Sequence, residues 1–350
     1  MQDGLAALLV RDMGASEVRI SNLRGLAGGY SRETFAFDAD FRYPDGRSEQ
    51  LALILRRDPV ASSAIIPTSR PIEHRLLQRV AAASGVPAPR SLALDATGEF
   101  VERPALVITR LPGKSDLAPL FGGADADQLE SVATNLCETL AKLHLSSINA
   151  IDPDGEMRDP MNRGIDTSSW EAYFASQVAF LKGNYPRTAF SAHPVLYDTY
   201  CTLEHARPAP APLTFVHGDF QPSNYMYEDG KISGLIDWEL CHIGDPREDL
   251  GALIHVSALM GWDLVGAVKR EGDFLGYYSS LTGIPVTRHD VEYFRMLWLC
   301  GILTPTLEAV KHRLEGEHDN FMHIYLMQPI MAGFPPFAAQ LGYPTVSGDA

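Results

Sequence analysis

Phe215 to Leu250 reads FVHGDFQPSNYMYEDGKISGLIDWELCHIGDPREDL. Short apolar runs alternate there with loops that carry acid and amide side chains at fixed offsets. Thr214-Phe215-Val216 is a short apolar strand, so Asp219 falls just past a strand end, on a turn. A carboxylate in that place can orient an attacking hydroxyl and accept its proton. Asn224 follows five residues later and offers a neutral oxygen. Ile232 to Ile236 is a second short strand, preceded by Glu228-Asp229-Gly230 as a hairpin turn and followed by Asp237. Such a hairpin would bring Asp237 beside Asn224. A carboxylate with an amide oxygen suits Mg2+, which keeps several waters and shares phosphate oxygens. Each of these residues alone would read as a turn or capping residue. The three together, with His217, Gly218 and Trp238, read as a site.

Toward the N-terminus the pattern changes to strands. Glu17 to Leu23 and Glu33 to Phe41 alternate apolar and polar residues, and Gln50 to Arg57 is an almost continuous apolar run. Gly28-Gly29-Tyr30-Ser31 lies between the first two, and Tyr43-Pro44-Asp45-Gly46-Arg47 is turn chemistry. Ile72, Leu76, Leu77 and Val80 predict a helix with Pro71 in its first turn and a stop at Gly85. Ser91 to Asp95 and Ala105 to Thr109 read as two more strands. Arg110-Leu111-Pro112-Gly113-Lys114 breaks the pattern, and the composition beyond it is helical. The spacing predicts helices over 127–147, 168–184 and 194–207. Beyond the opening stretch it predicts helices over about 246–260, 263–281, 287–312 and 318–340. The expected fold class is α+β. A small antiparallel-sheet lobe with one main helix covers 1–110, and a larger, mainly helical lobe covers 111–350. The hinge falls at about 109–114.

Composition narrows the function. The chain of 350 residues is 45% hydrophobic and 21% charged, ordinary values for a globular protein. Cys137, Cys201, Cys241 and Cys300 are far apart and fit no metal spacing, as expected of reduced thiols in the cytosol. The start has no basic stretch ahead of its short apolar run, Leu5 to Val10. The uncharged stretch from Leu250 to Trp262 is shorter than the roughly 20 residues of a bilayer span. No membrane segment and a cytoplasmic location are therefore expected. A net charge of −15 disfavours nucleic acid as a partner. The same charge could steer cationic substrates, or could serve solubility alone.

The segments HGDFQPSN, LIDWE and GDPREDL resemble the aminoglycoside phosphotransferase and choline kinase superfamily. The branch most similar is that of kinase-like domains found alone in bacteria or fused to acyl-CoA dehydrogenases. The resemblance runs over nearly the whole chain and is densest from 213 to 250. It implies a protein-kinase-like two-lobed fold and transfer of the γ-phosphoryl group of ATP or GTP to a small-molecule hydroxyl. It implies Asp219 as the catalytic base and Asn224 and Asp237 as the residues that hold Mg2+. It implies that His217 shapes the catalytic loop and that Gly28, Gly29 and Ser31 form a turn over the nucleotide. Arg56 would meet the phosphates with Glu73 as its partner, and Thr109 and Leu111 would lie at the hinge facing the base. His144 would brace the loop region. Asp245 and Asp249, with Glu239, fall in the family's extension of the motif, and the two aspartates would hold loops through backbone N–H groups.

Arg56 is a departure, because lysine is usual there in the aminoglycoside branch. Arginine keeps the charge but changes the geometry. That residue carries the second reading, a catalytically silent nucleotide-binding kinase-like protein. A metal hydrolase built on Asp219, His242 and Asp245 would need clustered histidines that the sequence does not place together. The expected partners are a nucleotide and a small-molecule alcohol, with the chain a monomer or homodimer. The acceptor itself is not legible, since helices over 160–205 and 255–340 carry no motif. Tyr30, Trp170, Tyr173, Trp238, Trp262 and Tyr277 stand as candidates for an acceptor pocket or for the core.

Overall fold

A computed structural model of the chain describes residues 1–26, 32–59, 66, 68–122, 126–188 and 194–316. Five strands form one antiparallel sheet: β1 (Glu17–Gly25), β2 (Glu33–Arg42), β3 (Ser48–Arg57), β4 (Ser91–Asp95) and β5 (Ala105–Thr109). Their order is β1-β2-β3-β5-β4, so β3 is central and pairs with both β2 and β5. Its near-continuous apolar run has a physical reason: both faces of the sheet are covered. Leu53 and Leu55 pack on one side with Leu5, Leu8 and Leu9 of helix α1 (Gln2–Met13). Ile54 packs on the other with Leu76, Leu77 and Val80 of α2 (Arg70–Ser84). Arg56 shares the Ile54 face by strand alternation, which aims it at α2.

The helix α1 is absent from the sequence reading, which took this part as strands. Its buried leucines fall at i, i+3 and i+4, and Gly14 ends it at φ 64°. In α2, Ser69 caps the start and Gly85 the end, at φ 66°. The buried face of α2 also holds two charged residues, Arg70 and Glu73, one turn apart.

Arg110–Lys114 leaves the sheet and is sewn to the second lobe. Lys114 N donates to Tyr227 O at 3.1 Å, and Tyr227 N to Lys114 O at 3.0 Å. Gly113 has φ 90°, and a Cβ there would sit 2.5 Å from Tyr227 O. The second lobe contains α3 (Ala118–Phe121), α4 (Ala126–His144), α5 (Ile148–Ile151), α6 (Trp170–Thr188) and α7 (Pro194–His205). Then come strands β6 (Thr214–Val216), β7 (Tyr225–Glu228), β8 (Lys231–Leu235) and β9 (His242–Gly244). Helices α8 (Arg247–Leu259), α9 (Leu264–Ala267), α10 (Phe274–Thr282) and α11 (Arg288–Leu314) follow. Val132, Leu136, Leu140 and Leu143 of α4 pack under the β7–β8 hairpin, in a core that continues to α2. A separate cluster joins Tyr173, Phe174 and Tyr200 to Phe294 and Leu297 of α11.

The sequence predicts one helix over 263–281, and the structure breaks it. Glu271 and Gly272 take left-handed φ of 48° and 92°. Asp273 then starts α10 anew, accepting from Leu275 N at 2.9 Å and Gly276 N at 3.0 Å. The helix expected over 318–340 lies outside the described residues. Among the described residues no helix is long and apolar enough to cross a membrane.

Candidate active site

The loop after β6 is set by one glycine. Gly218 has φ 79°, and a Cβ there would lie 2.2 Å from Leu240 O, so only glycine fits without movement. Leu240 comes so close because β6 and β9 pair, with Val216 opposite His242. From α8, Asp249 Oδ2 accepts His217 N and Oδ1 accepts Gly218 N, both at 2.8 Å. Asp249 Oδ2 also accepts His144 Nε2 at 3.0 Å, and Tyr278 Oη donates to His144 Nδ1 at 2.7 Å. Burial alone would raise the Asp249 carboxyl, but the hydrogen bonds from His144 and from the His217 backbone oppose it, and the carboxyl lies below the usual range. The two aspartates of the motif's extension thus serve loops. Asp245 in turn accepts Arg247 N at 3.0 Å, Arg247 Nη2 at 2.7 Å and Trp170 Nε1 at 2.8 Å.

Asp219 is half-buried at the turn. Gln221 Nε2 donates to both of its oxygens at 2.9 Å, and Asn224 Nδ2 donates to Oδ2 at 2.8 Å. Burial pushes the Asp219 carboxyl up to about 7, with the nearby Asp237 charge adding to it, while the Gln221 and Asn224 hydrogen bonds pull it back. A carboxylate poised there suits proton acceptance near neutral pH.

The hairpin forms through Asp229 and Gly230, whose φ are 49° and 75°, the turn that strand twist favours. It delivers Ile236 N to Asn224 O at 3.0 Å and so sets Asp237 beside Asn224. Asp237 is left-handed, at φ 65° and ψ 62°, a state that surrounding structure must enforce on a non-glycine residue. His217 helps: it is fully buried, its Nε2 donates to Ile236 O at 3.0 Å, and its ring lies 4.8 Å from Trp238. Burial pulls the His217 pKa down, which keeps the imidazole neutral.

Arg56 joins the lobes. Its Nη1 lies 2.9 Å from Glu73 Oε1 and its Nη2 lies 2.5 Å from Asp237 Oδ1. Glu239 Oε2 sits among three arginines, 3.1 Å from Arg32 Nε, 3.4 Å from Arg70 Nη2 and 3.6 Å from Arg56 Nη2. Arg70 also bonds Glu73. Arg32, Arg70 and Gln221 escaped the sequence reading. The three-residue spacing of Arg70 and Glu73 on one helix was the available signal for the first of them.

The structure therefore gathers Asp219, Asn224, Asp237, Arg56 and Glu73. Thr109 and Leu111 make their contacts elsewhere. Thr109 Oγ1 accepts Arg90 N at 2.9 Å, and Leu111 packs over Gly234, where a Cβ would meet Leu111 Cδ1 at 2.3 Å. Gly28, Gly29 and Ser31 lie outside the described residues, as does Tyr30. Of the remaining aromatic candidates, Tyr173 and Trp238 are core residues, Trp262 stacks on Phe121 at 4.8 Å, and Tyr277 Oη bonds Glu138 at 2.8 Å.

The donor set can be tested against a metal. Asn224 spends its NH2 group on Asp219, on the carboxylate at 2.8 Å and on the backbone oxygen at 2.9 Å, which leaves its amide oxygen as the ligand end. With Asp237 this makes two hard oxygen donors. Among the described residues no group of three or more His, Cys, Asp or Glu side chains is arranged to hold an ion. Such a pair does not suit structural zinc, but fits Mg2+ completed by water and phosphate oxygens.

The profile of the phosphotransferase enzyme family matches residues 22–281. Acyl-CoA dehydrogenase family member 10 of Mus musculus is 25% identical over 287 residues, which cover 79% of this chain and 25% of that protein. The chain thus spans about a quarter of the length of the acyl-CoA dehydrogenase family relatives it matches. In fold it is similar to a Ralstonia eutropha protein assigned as an aminoglycoside phosphotransferase. The TM-score is 0.68 at 16% identity, covering 97% of this chain and 98% of the other. A thermostable aminoglycoside phosphotransferase variant in ternary complex with AMP-PNP and hygromycin B gives a TM-score of 0.54 at 18% identity, covering 95% of this chain and 98% of the other. The family match takes in β2 to β9 and the whole Asp219–Asp237 loop pair, and the chain belongs to the phosphotransferase enzyme family.

Proposed function

We propose that this phosphotransferase moves the γ-phosphoryl group of ATP or GTP to a hydroxyl of a small molecule, with Mg2+ at Asn224 and Asp237. The observation that carries the reading is the Asp219 carboxylate, poised near 7 and tied through Asn224 to the Asp237 loop. The lobe over 1–110 takes the nucleotide, and the lobe over 111–350 takes the acceptor. The resemblance assigns the nucleotide to Gly28, Gly29 and Ser31 and to the backbone of Thr109 and Leu111, whose side chains make their contacts elsewhere. Arg56, held by Glu73, presents its charge to the phosphates. Asp219 orients the acceptor hydroxyl and takes its proton. The bond from that oxygen to the γ-phosphorus forms as the bond to the bridging oxygen breaks, and the nucleoside diphosphate leaves. When bound, the divalent cation supplies neutralising charge for the phosphate oxygens. Positioning and fixed electrostatics account for most of the rate.

The second reading is a silent nucleotide binder. It is favoured by one observation, the Arg56 guanidinium resting on Asp237 where a metal ligand is needed. Radiolabelled γ-phosphoryl transfer separates the two. The chain is incubated with Mg2+ and labelled ATP or GTP, together with alcohols, sugars, amino-alcohols, aminoglycosides, macrolides and hydroxy acids. A labelled organic phosphate from any class supports the kinase. Nucleotide binding with no labelled product across the panel supports the silent protein.

A further inference from the structure

A cleft opens beside Gly218 and His242 and runs between the loop after α5, helix α6 and helix α11. Gly218 lines it, so its floor adjoins Asp219. Phe180 and Trp298 supply aromatic wall in place of the aromatics the sequence put forward.

The charged groups of this cleft differ in how they are committed. Glu248 accepts Tyr173 Oη at 2.5 Å and Asp245 N at 3.0 Å, and lies 3.4 Å from His242 Nε2. His242 is engaged at its other nitrogen too, with Nδ1 donating to Leu240 O at 2.9 Å. Glu248 is therefore committed to Tyr173, the Asp245 backbone and His242.

Arg163 is different. Its guanidinium carbon lies 5.1 Å from the centroid of the Phe180 ring, and it makes no ion pair among the described residues. Asp159, four residues earlier, is the carboxylate whose charge acts on it. The oxygens of Asp159 are spent on backbone donors, Arg163 N at 2.8 Å, Gly164 N at 2.8 Å and Ile165 N at 3.3 Å. That fixes the loop and leaves the guanidinium fork unmatched. Desolvation pulls the Arg163 pKa down, so a counter-anion would be gained at a half-buried place. An arginine stacked on a ring, with its fork open, is built for a planar carboxylate. The cleft offers no uncommitted carboxylate among its described lining residues, which a polycationic acceptor would require.

Resting on the kinase reading above, we propose that this cleft takes the acceptor, that the acceptor is a hydroxylated carboxylic acid with an apolar chain, and that Arg163 binds its carboxylate while its hydroxyl reaches Asp219. The product is then a phospho-acid.

The test compares the wild type with Arg163→Met and Arg163→Lys. Substrates are short-chain hydroxy acids, each beside its primary amide, and an aminoglycoside. Phosphorylated product is measured with Mg-ATP and with Mg-GTP, and thermal melting is measured with each compound in the absence of nucleotide. The wild type is expected to favour acids over amides by roughly 10- to 100-fold in kcat/KM, the scale of a charged hydrogen bond. Arg163→Met brings that ratio to within about threefold, through KM rather than kcat, and Arg163→Lys falls between. The acids raise the melting temperature of the wild type and not of Arg163→Met. A wild type that prefers amides or the aminoglycoside overturns the proposal, as does an acid-to-amide ratio unchanged in Arg163→Met. If nothing is phosphorylated, the kinase reading fails on its own. The carboxylate site is then upheld by an acid-dependent melting shift that Arg163→Met abolishes, and overturned by the absence of that shift.

Discussion

Arg56 Nη2 lies 2.5 Å from Asp237 Oδ1, a contact that spans the two lobes while the other arm of the same guanidinium holds Glu73 at 2.9 Å. A lysine ammonium cannot reproduce both contacts in the same fork geometry. Arg56→Lys is therefore expected to raise the KM for nucleotide by roughly 10-fold while keeping measurable kcat, the scale of one charge-assisted hydrogen bond. Steady-state kinetics with varied Mg-ATP checks this, and an unchanged nucleotide KM contradicts it.

Asp237 is the one carboxylate among the two donors assigned to the metal. Its removal should uncouple nucleotide binding from Mg2+. In thermal melts, the wild type is expected to gain more from ATP with Mg2+ than from ATP with a chelator. Asp237→Ala is expected to show the same small gain in both. A full Mg2+-dependent shift in the variant would remove Asp237 from the metal site.

Gly218 holds the loop at φ 79° with Leu240 O 2.2 Å from the place of a Cβ. Gly218→Ala meets both a strained dihedral and a backbone clash, so it is expected to cost about 2 kcal/mol or more. Activity is expected to fall further than stability alone explains, because Asp219 is the next residue. Urea unfolding and single-turnover transfer measure the two effects, and a variant with both unchanged contradicts the geometry.

His255 gives the chain an acid limit. It is buried on α8 against Trp298, 5.5 Å away. Burial pulls its pKa down from 6.5 to about 4, and the positive charge of Arg295 adds to this while Glu292 opposes it. The unfolded chain binds the proton first, so the stabilisation is fully present above pH 6.5 and is lost as pH falls toward 4. The loss attributable to this residue is about 3 kcal/mol at most. His255→Gln is expected to flatten the stability profile over that window, as read by urea midpoints. A variant whose profile parallels the wild type contradicts the assignment.

Much of the lobe architecture was legible because it rests on local rules. Alternation marked β1 and β2, a doubly covered strand marked β3, and Asp229-Gly230 marked the hairpin that sets Asp237 beside Asn224. The pair of Arg56 and Glu73 was legible through the family resemblance. What stayed hidden depends on long-range packing. The leucines of α1 give a helical stripe only once a sheet face is there to receive them. Glu239 among Arg32, Arg70 and Arg56 draws together residues from distant parts of the chain, which no spacing reveals. Arg163 reads as an ordinary loop cation until Phe180 and the cleft are placed beside it. The break at Glu271 and Gly272 was hidden too, because the apolar spacing continues across it.

The central claim is that Asp219 takes the proton of an acceptor hydroxyl during phosphoryl transfer. Asp219→Asn keeps the shape and the neighbours Gln221 and Asn224 but removes the base. Product formation by this variant is measured under saturating Mg-nucleotide with an acceptor that the wild type phosphorylates, alongside nucleotide affinity by calorimetry. The expected result is a loss of at least about 100-fold in rate with affinity close to wild type, as for a missing general base. Turnover retained above about a hundredth of the wild-type rate would contradict the account.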